Sequence, residues 1–168
     1  MKIINKNQQS GFTLVELLIY VAVAAIILLA LSQFFSLALS VRVKAQSVAE
    51  VEQQGTLVLT KMTQIIRNAT AITTPISGAT STSLTITVPT GVNSPTVFDV
   101  ASGTLRIKEG TASPINLTDS HVAITNTTFS NFANGSIRIQ FTLSKLNTSS
   151  TTNEYNYTQN FSGSATLR

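Results

Sequence analysis

At 168 residues the chain carries about one domain's worth of sequence. It has no Cys, which excludes disulfide bracing, thiol catalysis and Cys-type zinc sites. Charged residues make up only 11%, and the 11 Lys and Arg against 7 Asp and Glu are scattered, so the formal charge of +4 does not mark a nucleic-acid surface. Thr, Ser and Asn fill the second half, a balance that suits an extracellular polar surface better than a cytosolic enzyme.

The first eleven residues, MKIINKNQQSG, are polar, carry Lys2 and Lys6 and contain no acid. From Phe12 to Val41 the chain reads FTLVELLIYVAVAAIILLALSQFFSLALSV, with Glu16 its only group of ordinary acid strength. About 20 apolar residues span a bilayer as a helix, so this run crosses with length to spare. Lys on the N-terminal flank, with Arg42 and Lys44 only after the run, places the N-terminus on the cytoplasmic side. An ordinary secretory signal peptide has a much shorter apolar region followed by a small-residue cleavage site. Here the polar stretch precedes the apolar one. A plain signal anchor fits the length but leaves Glu16 unexplained, because a carboxylate inside an apolar run costs a few kcal/mol.

Gly11-Phe12-Thr13-Leu14-Val15-Glu16-Leu17 resembles the cleavage and methylation signature of type IV pilins and type II secretion pseudopilins. The resemblance covers about thirty residues, with Gly, Phe and Glu at fixed spacing across a charge-to-apolar boundary. It implies a leader of residues 1–11, removed by a prepilin peptidase that cuts between Gly11 and Phe12. It implies that Phe12 becomes the methylated N-terminus and that Glu16 fills the acidic fifth mature position. Gly at the scissile position lets backbone approach the peptidase without a side-chain clash. Cleavage exposes a cationic amine on Phe12. Glu16 sits four residues along, so it lies on the same helical face one turn later. Its carboxylate pairs with that amine or with a neighbouring subunit's, and in an apolar filament core such pairing sets the stagger between subunits. The competing reading has Glu16 reaching out to the lipid headgroups. Loss of the leader lowers the charge to +2, since 11 − 2 leaves 9 basic groups against 7 acidic.

Beyond residues 12–41 the pattern changes without breaking. Val48, Val51, Gly55, Val58, Met62, Ile65 and Ala69 recur at alternating spacings of three and four, with Leu59, Ile66 and Ile72 widening the stripe. They predict the amphipathic half of one helix over 42–72, the whole running from near Phe12 to near Thr70. Gly55, about 1 kcal/mol worse than Ala in a helix, marks a place for a bend. Many major pilins carry Pro at the position of Gln33; its absence here leaves no basis for a melted segment.

Residues 73–168 are expected to form a β-rich domain. Thr70 to Thr82 reads as a loop, followed by strands at 84–88, 96–100, 104–108, 122–129, 136–143 and 155–161. Ile137, Ile139, Phe141 and Leu143 alternate with Arg138, Gln140 and Thr142, the clearest half-buried strand, and Asn134-Gly135 before it is a hairpin turn. The expected fold is therefore α+β, a long helix packed on an antiparallel sheet. Met62–Ile72 is similar to the helix end of J-type pseudopilins and related minor pilins.

No catalytic constellation is visible, and no enzymatic activity, cofactor or metal is expected. His121, the single histidine, reads as a surface or capping residue beside Asp119 and Ser120. Asp99, Glu109, Asp119 and Glu154 are isolated and form no calcium loop. The polar stretch Asn147–Asn153 is the expected mobile loop. The resemblance implies a minor pilin or pseudopilin held in the inner membrane, with the prepilin peptidase, other pilin or pseudopilin subunits and an inner-membrane assembly platform as partners, and without nucleic acid. A membrane-anchored or filament-displayed binding module, an adhesin, is the alternative.

Overall fold

The computed structural model describes residues 12–89, 91–145 and 156–167. Residues 1–11, the expected leader with Gly11, and the Asn147–Asn153 stretch therefore lie outside the described residues. The chain divides into two compact units, Met1–Arg42 and Val43–Arg168. One helix, α1 (Leu14–Arg67), contributes to both.

Within the first unit α1 is exposed at every residue but the half-buried Ser40, and its most apolar 18-residue window has a mean hydropathy of 2.8. A surface of that kind is stable only in an apolar solvent or against other helices.

Among its described residues the second unit holds the rest of α1 and nine strands. The helix buries Ser47, Val51, Gly55, Val58, Met62 and Ile66, a stripe at spacings of four and three. Compared with the sequence expectation the stripe is rotated slightly: Ser47 is buried where Val48 was expected, and Ile66 is buried more deeply than Ile65. Ser47 tolerates burial because its hydroxyl donates to the carbonyl of Val43 at 3.2 Å. The helix ends at Arg67, so Ile72 does not extend the stripe. Ile72 belongs to the first strand, whose four residues were read as loop.

The strands are β1 (Ala71–Thr74), β2 (Thr80–Ser81), β3 (Leu84–Thr87), β4 (Thr96–Ala101), β5 (Thr104–Glu109), β6 (Ile115–Asn116), β7 (Ala123–Asn131), β8 (Ser136–Lys145) and β9 (Tyr157–Thr166). They form two antiparallel sheets rather than one, a five-stranded sheet ordered β1-β3-β4-β5-β6 and a four-stranded sheet ordered β2-β7-β8-β9. The α+β layout, a long helix with antiparallel sheets, is as expected. Three short strands escape sequence reading because two to four residues carry too little periodicity.

Turn chemistry sets the register. Ser102 and Gly103 adopt φ of 52° and 73°, the two left-handed positions of a two-residue hairpin between β4 and β5. That register pairs Asp99 with Arg106, whose guanidinium donates to both carboxylate oxygens at 3.1 and 2.5 Å. The carboxylate bond raises the Arg106 pKa above its ordinary value. Both side chains are about a third exposed, so the pair adds little to stability. Gly135, at φ 73°, closes the β7–β8 turn, where its N–H donates to the Phe132 carbonyl. In β7 the predicted continuous strand is interrupted by a bulge between Thr125 and Thr128, with Asn126 at φ 50°.

Leu84, Phe98 and Leu105 from the first sheet, Phe129, Ile139 and Phe141 from the second, and Val58 and Met62 from α1 meet in one buried core. Two glycines allow α1 to lie close against β9. A Cβ on Gly55 would overlap the Cζ end of the Phe161 ring, which stacks on Phe141 with centroids 5.4 Å apart. A Cβ on Gly163 would sit 2.8 Å from a methyl of Leu59. Each element thus presents a large side chain to the other's glycine. The helix runs on through Gly55, which supplies the space for Phe161. β9 runs to Thr166, paired with β8 throughout, although only its first half has strand-like residues. Ser162, Gly163 and Ser164 are poor strand formers; Gly163 faces Leu59 of the helix, whereas both serines are exposed. Near the far end of β9, Lys145 of β8 pairs with Glu50 of α1.

Candidate functional site

The N-terminal junction concentrates the features that bear on function. The Thr13 carbonyl accepts the first intrahelical bond, from Leu17 N–H at 3.2 Å, and its hydroxyl accepts from Glu16 N–H at 3.3 Å. Thr13 is therefore the N-cap of α1, and Thr13-Leu14-Val15-Glu16 has the T-x-x-E spacing of a capping box. Sequence reasoning treated the helix as starting near Phe12 and missed this cap, although its signal is present in those four residues.

The correction changes the geometry at Phe12. Phe12 stands one residue before the cap, outside the helix, so it and Glu16 are not stacked one turn apart on a continuous helical face. Glu16 occupies the third helical position, from which a carboxylate reaches back toward the backbone nitrogens ahead of the cap. An amine on Phe12 would lie on that side, and the positive end of the helix dipole favours the same anionic group. The two routes, face sharing and back-reaching, lead to one neighbourhood by different means.

The Phe12 ring lies against Tyr20, centroids 5.7 Å apart and tilted by 46°. Tyr20 is one turn beyond Glu16, so an aromatic pair borders the face that carries the carboxylate. Phe12, Glu16 and Tyr20 are all exposed, and among the described residues Glu16 makes no ion pair. Farther along, Gln33 and its flanking serines sit in unbroken helix and are also exposed.

Residues 6–32 match the prokaryotic N-terminal methylation motif. The motif is typical of type IV prepilin-like proteins, and together with the exposed apolar helix it suits a single-pass inner-membrane anchor. The match takes in Gly11, Phe12 and Glu16 and leaves the second unit unmatched. No curated protein and no solved structure matches the chain.

His121 is exposed in the turn before β7, consistent with a surface position. Beside it the Asp119 carboxyl is held below the ordinary carboxylate range, first by the Ser120 hydroxyl and then by backbone N–H groups of His121 and Ser120. This is local turn chemistry. Among the described residues no three His, Asp or Glu side chains gather as a metal site.

Proposed function

We propose that this chain is a non-enzymatic minor pilin or pseudopilin. A prepilin peptidase hydrolyses its Gly11–Phe12 bond, the freed Phe12 amine is methylated, and the mature chain joins a filament through α1. The observation that carries the reading is the capped helix start within the methylation motif, where the exposed Glu16 carboxylate makes no ion pair among the described residues. Hydrolysis leaves a carboxylate on Gly11 and a cationic amine on Phe12. The leader departs with Lys2 and Lys6, so the amine becomes the nearest cation to Glu16 in the chain.

A carboxylate and an amine at membrane depth are each expensive alone. Pairing them, within one chain or between neighbours, offsets that cost, and pairing between neighbours fixes axial stagger. The exposed apolar length of α1 supplies the packing surface for other pilin or pseudopilin helices, and the inner-membrane assembly platform is the place where they meet. The similarity of Met62–Ile72 to J-type pseudopilins supports the minor-subunit reading. The N-terminus stays cytoplasmic, where the peptidase works.

Processing is tested by substituting the scissile position. When the full chain is co-expressed with a prepilin peptidase, the wild type should shorten by eleven residues on a gel, whereas Gly11→Val should stay at precursor length. Equal processing of both would remove Gly11 as the cleavage determinant.

A further inference from the structure

The second unit has one sheet edge built unlike the others. The outer strands β2 and β6 are two residues long, and β1 is four residues with an irregularity before Pro75. Short, bulged or proline-flanked edges are how proteins avoid pairing with stray strands. β9 is also an edge, yet it runs for ten residues in unbroken register with β8. Its sequence, YTQNFSGSAT, has no charge and no proline.

The hydrogen bonds show which groups that edge presents. Leu167 N–H donates to the Gly135 carbonyl at 3.2 Å, which turns the odd-numbered amides of β9 inward. The opposite side agrees: Phe132 N–H donates to Ser136, so Ile137 faces β9, where its partner is Ala165. The backbone N–H and C=O groups of Thr158, Asn160, Ser162, Ser164 and Thr166 therefore point outward along the open edge. Beside its C-terminal end lies a groove of about 770 Å³ between β9 and α1, lined by Leu59, Thr63, Gln64 and Arg67 of the helix and by Ser164 and Leu167. Arg67 is the charged residue of that lining and makes no ion pair among the described residues.

We infer that β9 is a docking edge that accepts an extended strand of another protein, one carrying an acidic side chain toward the Arg67 end. Main-chain bonds to the outward amides hold the strand, and alternate side chains enter the groove. A second copy of β9 does not suit the groove, because its uncharged sequence brings no carboxylate to Arg67. The inference stands on the second unit alone and does not depend on processing at Gly11.

The test is amide-resolved hydrogen exchange on the full chain in detergent micelles. The probe is a ten-residue peptide of alternating Thr and Val with blocked termini and Asp at both ends. At millimolar peptide, exchange at Asn160, Ser162 and Ser164 should slow by about tenfold or more, while the odd-numbered amides, already paired, stay unchanged. A peptide with Lys in place of Asp should bind about tenfold more weakly, and Arg67→Glu should reverse that preference. Ser162→Pro, which removes an outward N–H and no intramolecular bond, should abolish the protection. Arg67→Glu, on an exposed helix position, keeps the test open should Ser162→Pro fail to fold. Unchanged exchange at the even-numbered amides overturns the inference, as does indifference to peptide charge. Protection that grows with protein concentration in the absence of peptide overturns it in favour of a second copy.

Discussion

Glu16→Leu should leave this chain inserted in the membrane and remove it from filaments. Leucine relieves the few kcal/mol that a carboxylate costs within an apolar helix, so insertion is unimpaired or improved. Assembly suffers because the Phe12 amine is then buried among helices without its anion. Removing one partner of a buried pair costs about 3 kcal/mol or more, which corresponds to about a hundredfold loss of incorporation. Immunoblots of sheared filaments against the membrane fraction measure the ratio directly. Glu16→Gln separates charge from shape, since it keeps the reach of the side chain and the cap of Thr13 but not the anion. It should fall nearly as far as leucine. Incorporation of Glu16→Gln at the wild-type level would mean that hydrogen bonding alone holds the helix start, and that Glu16 serves the cap only.

The second large effect belongs to the contact between α1 and β9. Gly55→Ala should destabilise the second unit although alanine is the better helix former by about 1 kcal/mol. The added Cβ occupies the space of the Phe161 ring, which must leave its stack on Phe141. Forcing atoms into a packed contact costs about 1–3 kcal/mol, enough to reverse the helix gain. Gly55→Leu should cost at least 3 kcal/mol, roughly the top of that range, because the ring has no position left beside the helix. Far-UV circular dichroism of the full chain in micelles during urea titration gives both values. The partner variant makes the argument specific. In a Phe161→Ala background the clash is gone, and Gly55→Ala should become neutral or stabilising. A Gly55→Ala penalty that persists without the Phe161 ring would place the cause elsewhere.

These two regions also show how legible the protein is from its sequence. The junction at Gly11-Phe12 and the acid at Glu16 are readable because they break strong local patterns: a polar leader meets an apolar run, and one charge sits where charge is costly. The cap at Thr13 was equally present in the sequence but hidden by reading the helix from its apolar content instead of its terminus. Strand β8 is legible because four apolar side chains alternate over the seven residues from Ile137 to Leu143, and all four are buried. The second half of β9 is not legible. Its glycine, Gly163, answers to a partner some hundred positions away, and it resembles a turn until Leu59 is seen against it. Division of the strands into two sheets was hidden for a related reason, because pairing between strands distant in sequence leaves no local periodicity. Gly55 stands out in the sequence as a weak helix former, but its use, a close approach to Phe161, shows only in the structure.

Intact mass spectrometry of the chain, recovered from membranes that contain an active prepilin peptidase, tests the account most directly. The predicted species begins at Phe12, lacks Met1–Gly11 and carries one added methyl group on its new amine. A chain that keeps Met1–Gly11 under those conditions, or that is cut at any other bond, would contradict the account.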